Sequence, residues 1–257
     1  MKTITKMTLA AASLLGLASS TAVYAQDAPA VTVSAALAVQ SDYRFRGISQ
    51  NNKKIAPQGT LNFTLPEGFY VGTWASQTNW QLGGSKNHNP GYEVDIYGGK
   101  HTTVFDSDLN IEAYYYAYPD ANTFGGSEAS FVEIITQLSH SYEGFSLTGT
   151  WAYSPMFSLG GGVSNYLAGN LTIPVNEWLS LSGNLGHQWV QAAKLFKSND
   201  YTHFDAGATA SYMGFALDAR YVGTDLTNKA CGNFYMATKN ACSGGGVVTL
   251  TYNIAFN

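Results

Sequence analysis

Gly246-Val-Val-Thr-Leu-Thr-Tyr-Asn-Ile-Ala-Phe256 is the stretch whose reading decides the fold. Val248, Leu250, Tyr252, Ile254 and Phe256 alternate with Val247, Thr249, Thr251, Asn253 and Ala255. Successive side chains of a strand point to opposite faces, so one face here is apolar and ends in an aromatic. The other face is mostly polar or small. The closing strand of a transmembrane β-barrel needs this pattern, because lipid-facing and lumen-facing positions must alternate. Tyr252, Ile254 and Phe256 then serve as a C-terminal assembly signal.

The other end of the chain agrees. Lys2 and Lys6 form a basic start, Met7 to Ser20 an apolar Ala/Leu-rich run, and Val23-Tyr-Ala25 a small-residue cleavage site. Residues 1–25 therefore read as a secretory signal peptide cut before Gln26. The apolar run is short for an anchor helix. Cleavage of 25 residues from the 257 leaves a mature chain of 232, and losing two lysines moves the formal charge from −4 to −6. No later stretch is apolar for the length that a membrane helix requires. With 12% charged residues, 14% aromatics and 27 glycines, the composition suits a barrel whose outer band meets lipid better than a soluble sandwich.

Strand periodicity divides the mature chain into twelve alternating runs, and so into one antiparallel, up-and-down transmembrane β-barrel domain over residues 26–257. Phe145, Leu147, Gly149, Trp151 and Tyr153 against Ser146, Thr148, Thr150 and Ala152 is a particularly clean run. Val31 to Val39, Leu61 to Leu65 and Tyr92 to Tyr97 are others, as are Leu109 to Tyr116 and Phe204 to Tyr221, while the phase of Phe69 to Trp80 stays open. Residues 66–68, 142–144, 174–177 and 213–214 read as short turns. Residues 47–57, 81–91, 119–128, 156–164, 191–200 and 224–245 read as longer polar or Gly-rich loops. Tight periplasmic turns facing long outer loops are expected of outer-membrane barrels. Aromatics near the short turns (Tyr142, Phe145, Trp178, Tyr212, Phe215, Phe256) and near the long loops (Trp80, Tyr92, Tyr153, Trp189, Tyr201, Tyr221) fit two interfacial girdles.

Cys231 and Cys242 lie in the longest loop. An exported chain meets an oxidising compartment, so a disulfide tethering a surface loop is expected. Two thiols without a nearby histidine make a poor metal site. No metal or cofactor is implied.

Ser41-Asp-Tyr-Arg-Phe-Arg-Gly-Ile-Ser-Gln50, with Pro57-Gln-Gly59 and Gly68-Phe-Tyr-Val-Gly-Thr-Trp-Ala-Ser76, resembles the TorF family of bacterial outer-membrane porins, proteins long described only as conserved hypotheticals. Glu93-Val-Asp-Ile-Tyr97 resembles that family's next block, and Tyr221 to Leu226 followed by Cys231 its late strand and cysteine-bearing loop. The likeness runs from about residue 35 to the end. It implies a pore in the outer membrane and names no solute. The chain departs from the assembly-signal pattern where Asn257 follows Phe256 and where Thr251 replaces a glycine.

With the apolar phase outward, the lumen receives Asp42, Arg44, Arg46, Glu93, Asp95, Glu112, Glu133, Asp205, Asp218 and Arg220. These charges must face water or one another, since lipid exposure is costly at mid-depth. Two readings follow. An acid-rich lumen sorts solutes by charge and favours cations, as charged rings do. Alternatively, Arg44 and Arg46 are tied to Glu93, Asp95 and Glu112 in a network that holds the interior together.

An enzyme finds less support. Some barrels act on lipid through a Ser–His pair at the membrane edge, but His88, His101, His140, His187 and His203 are scattered. No Gly-x-Ser-x-Gly elbow or His-Glu-x-x-His motif is present. Lys53-Lys54, Lys194 and Lys197 are cationic loop spots that suit lipopolysaccharide phosphates or simple solvation. An acidic exported chain without a basic stripe is not a nucleic-acid binder. The expectation is an outer-membrane, porin-like channel for passive diffusion of small hydrophilic solutes, exported across the inner membrane and assembled by the barrel-assembly machinery among outer-membrane lipids. The alternative is a non-conducting structural or ligand-binding barrel.

Overall fold

Period-two alternation becomes a closed sheet when every strand has an apolar face to give to lipid and no edge to leave unpaired. A computed structural model of the chain describes residues 31–79, 90–119, 128–191, 200–227, 229–231 and 240–256. Residues 1–25, read as the signal peptide, lie outside the described residues, as do Trp80, His88, Lys194 and Lys197. The strands are β1 (Thr32–Gln40), β2 (Arg44–Phe45), β3 (Ile48–Ser49), β4 (Ala56–Thr64), β5 (Phe69–Gln77), β6 (Tyr92–Val104) and β7 (Ser107–Ala117). They continue with β8 (Phe131–Tyr142), β9 (Phe145–Phe157), β10 (Gly162–Pro174), β11 (Leu179–Val190), β12 (Tyr201–Tyr212), β13 (Phe215–Thr224) and β14 (Gly245–Phe256).

Twelve of these strands, β1 and β4 through β14, form a closed antiparallel barrel, and each long alternating run of the sequence is one of them. β14 closes the ring on β1, with Val33 opposite Phe256 and Gln40 opposite Thr249. The phase of β5 is now fixed: Phe69 and Val71 face out, while Trp74 and Ser76 are buried inside. Leu37, Ile96, Leu185, Leu217 and Leu250 are among the large apolar side chains exposed on the outer wall, as a lipid-facing belt requires. Trp178, Tyr212, Phe215 and Phe256 lie exposed toward the short-turn end, and Tyr92, Trp189 and Tyr221 toward the other. Tyr201 departs from the girdle reading. It shares the inward phase of His203 and is buried in the lumen.

Both ends of the barrel sequence and five tight connections share one rim; the fifth, Phe105-Asp106, joins β6 to β7 with positive φ at both residues. Two connections at the opposite rim differ from expectation. The Gly160-Gly161-Gly162 run reads as a long loop by composition, yet β9 extends to Phe157, β10 starts at Gly162, and only a short 3-10 turn separates them. That turn leans inward: Leu159 N–H donates to Glu128 O at 2.7 Å, and Leu159 is buried. The larger departure is the segment between β1 and β4, read as an outer loop. It folds down into the lumen, and residues 42–51 are buried.

Candidate functional site

The in-folded segment is a miniature hairpin, β2 paired with β3, with Phe45 opposite Ile48. Its two-residue turn has φ of +46° at Arg46 and +86° at Gly47, the paired positive values of a type I′ turn. Glycine adopts such a φ freely, and arginine does so only under strain of order 1 kcal/mol or more. The tip also fits only glycine at its second position: a Cβ on Gly47 would stand 2.6 Å from Thr224 Cγ2 and 2.8 Å from His203 Cβ.

Arg46 explains why the strained turn persists. From the tip it reaches β8, five strands around the ring from β1. There its Nη1 donates to Glu133 Oε1 at 2.9 Å and its Nη2 to Glu133 Oε2 at 2.7 Å, a two-pronged pair. Nη1 also donates to Gln188 Oε1 on β11 at 2.5 Å. The guanidinium carbon lies 3.9 Å from the Tyr166 ring centroid and 4.7 Å from that of Phe45. The hairpin and this side chain together bridge the lumen. Burial of both partners makes the pair sensitive to loss of either member.

All ten charged side chains assigned to the lumen lie inside the barrel, but their pairing differs from the expected network. Arg44 pairs with Asp42 at 2.8 Å on its own hairpin, not with Glu93, Asp95 or Glu112. Arg46 pairs with Glu133. The reason is the hairpin, which carries both arginines off the β1 wall into the middle of the lumen. Arg220 on β13 joins Asp205 at 2.6 Å and Asp218 at 2.7 Å in a separate cluster. The remaining carboxylates are held by tyrosines. Tyr43 donates to Glu93 at 3.0 Å, Tyr114 to Asp95 at 2.9 Å, and Tyr70 to Glu112 at 2.7 Å. Seven lumen carboxylates thus face three guanidiniums, so the acid surplus read from the sequence stands and sits mainly on β6 and β7.

Tyr114 also belongs to an aromatic ladder along the same wall. Tyr97 and Tyr114 stack with centroids 5.0 Å apart, Tyr114 and Tyr116 lie at 4.5 Å, and Tyr116 stacks on Phe131 at 4.3 Å. Beneath the hairpin two cavities remain, of about 160 Å³ and 50 Å³, and Arg44 and Arg46 line both. The larger runs between Trp74, Asp95 and Tyr114 on one side and Thr249, Thr251 and Asn253 on the other. At the outer face of the hairpin, burial and the neighbouring Arg44 charge lower the Lys53 ammonium from its ordinary range.

Sequence reasoning missed the hairpin, Gln188, Tyr166 and the tyrosine ladder. One signal was available: Tyr43, Phe45 and Ile48 are poor choices for a solvated loop. The structure also brings together one Ser–His pair, Ser107 Oγ within 2.9 Å of His140 Nδ1. It lies on the outward phase of β7 and β8, whereas the neighbouring acid, Asp108, faces the lumen and bonds His101 at 3.0 Å. Asp108 is thereby engaged by His101 and not by His140. The expected disulfide joins Cys231 and Cys242, but both cysteines are buried and not part of a solvated loop.

Solved structures share this architecture. A KdgM porin aligns with a TM-score of 0.54 at 5% identity, covering 88% of this chain and 99% of that one. The KdgM porin in complex with disordered oligogalacturonate aligns at 0.52 and 4% identity, covering 88% and 98%. The COG4313 outer membrane channel from Pseudomonas putida F1 aligns at 0.50 and 13%, covering 89% and 97%. At such identities the likeness establishes the fold. A search of curated proteins found no match. A family description covers residues 24–253, nearly the whole of the chain, and by it this protein belongs to Gcw_chp, a family of bacterial proteins of unknown function.

Proposed function

We propose that this protein is an outer-membrane channel through which small hydrophilic solutes diffuse passively, and that its narrowest point is the hairpin carrying Arg46. The observation that carries this reading is a charged, in-folded constriction inside a closed barrel with an apolar exterior. A barrel built only to fill itself needs no cavities beneath the hairpin lined by its two arginines. The resemblance of residues 41–50 to TorF family porins supports the same reading, since those residues form the constriction. Transport rather than catalysis is the activity, with the acid surplus favouring cations. Outer-membrane lipid, lipopolysaccharide at the exposed Lys53 and Lys54, and the barrel-assembly machinery are the partners this reading requires.

A second reading has its own observation. The hairpin crosses the lumen, and both terminal nitrogens of Arg46 at its tip are bonded to the far wall, as in a barrel held shut. Planar-bilayer recording of the refolded mature chain under a salt gradient separates the two. Discrete conductance steps with a cation-selective reversal potential support the channel. A folded, heat-modifiable barrel that stays electrically silent supports the closed form, and an anion-selective reversal potential overturns the assigned preference.

A further inference from the structure

We propose that the Cys231–Cys242 bridge is the latch of the constriction: it holds in place the short segment on which the lumen hairpin hangs, so that cutting it frees the hairpin and widens the pore. The widening rests on the channel reading; the latch itself does not.

The disulfide is not placed as a staple of a solvated loop would be. Both cysteines are buried, in one apolar cluster with Ala241 and with Tyr43, Phe45 and Ile48 of the hairpin segment. The hairpin's attachments on this side converge on the two neighbours of Cys242. Ser49 N–H donates to Ala241 O at 2.9 Å. Arg44 Nη1 donates to Ser243 O at 3.0 Å. Lys53 Nζ donates to Ser243 Oγ at 2.6 Å. Cys242 sits between these two acceptors, and its own carbonyl accepts from Thr224 Oγ1 at 3.0 Å.

Residues 241–243 precede β14, so the sheet ladder does not fix them. Besides the Thr224 bond, the bridge ties them to Cys231, which is itself held by its N–H donating to Thr227 O at 2.8 Å. A cross-link of this kind narrows the states open to the segment it joins. Here that segment carries the acceptors for the hairpin backbone and for two of its cations. Arg46 thus holds the tip to the far wall and the bridged segment holds the root, beside the bonds between Tyr43 and Glu93 and between Gln50 and Asn79. Freed from residues 241–243, the segment loses these bonds while the strain of its turn persists.

The test is hydrogen–deuterium exchange of the amides of residues 44–50, alongside single-channel conductance, in the wild type and in Cys231→Ser/Cys242→Ser. Both proteins are first shown to be folded by heat-modifiable migration. The expected result is exchange about tenfold or more faster at residues 44–50, unchanged exchange in β9 to β11, and larger conductance steps. Unchanged exchange at residues 44–50 overturns the latch, whatever the conductance. Faster exchange with unaltered steps in a conducting wild type overturns the claim that the latch sets pore width. If both proteins are silent while residues 44–50 exchange faster, the latch stands and the channel reading falls. Should the double variant fail to fold, the same exchange is measured on folded wild-type protein before and after phosphine reduction, with thiol labelling to confirm that the bridge is open.

Discussion

Arg46 concentrates the chemistry of the lumen in one side chain. Its positive φ is unfavourable for a non-glycine residue, and its guanidinium is withdrawn from water. Two prongs to Glu133, one to Gln188 and the Tyr166 ring compensate both penalties. Removing the cation alone leaves Glu133 buried with only the Tyr116 hydroxyl, at 3.1 Å, to satisfy that side. Breaking one member of a buried pair destabilises its surroundings by about 3–5 kcal/mol, whereas replacing both members by apolar groups is often neutral. Arg46→Met is therefore expected to loosen the hairpin and enlarge the conductance steps while the barrel stays heat-modifiable. Arg46→Met/Glu133→Leu is expected to recover most of the lost hairpin protection in hydrogen exchange. A double variant as labile as the single one would show that the pair is not what seats the tip.

At the scale of elements, each strand obeys a two-sided rule and the hairpin obeys none. Ala36 and Leu37 are neighbours on β1; Ala36 lines the larger cavity and Leu37 is exposed on the belt. Leu37→Arg should destabilise the barrel in lipid by about 2–4 kcal/mol, and Ala36→Arg by much less, when urea titration of folding into vesicles is followed. Equal sensitivity at the two positions would mean that the inside–outside assignment is wrong. This contrast also explains what was legible beforehand. Lipid on one face and water on the other impose a period of two, so the twelve strands, the closing strand and the seven lumen charges borne on barrel strands could be read from residue order, whereas Asp42, Arg44 and Arg46 reach the lumen on the hairpin. A segment folded into a lumen meets polar and aromatic neighbours on all sides, so its sequence carries no period. Gly47 and the charges around it then look like loop composition. The same blindness misassigned the partners of Arg44 and Arg46, because pairing follows from where the hairpin tip arrives. Residue order is silent on that.

Across the whole molecule, the charges separate into neutralised and surplus sets. Asp42 with Arg44 and Glu133 with Arg46 pair off, and Arg220 is shared by Asp205 and Asp218. The surplus resides on Glu93, Asp95 and Glu112, which lie together on the inner faces of β6 and β7 and accept from tyrosines. On the proposed channel reading the field across the lumen is lopsided, negative along the tyrosine wall and nearly balanced opposite it. Glu93→Gln/Glu112→Gln keeps an acceptor for Tyr43 and for Tyr70 and removes two surplus charges. Its reversal potential in a salt gradient should move toward zero while unit conductance and heat-modifiability change little. Salt supplies an independent check on the same cause. The screening length falls from about 10 Å at 0.1 M to about 3 Å at 1 M, so wild-type selectivity that arises from this field should weaken over that range. Selectivity that survives both the double substitution and high salt would have to come from the width of the constriction and not from the acid wall.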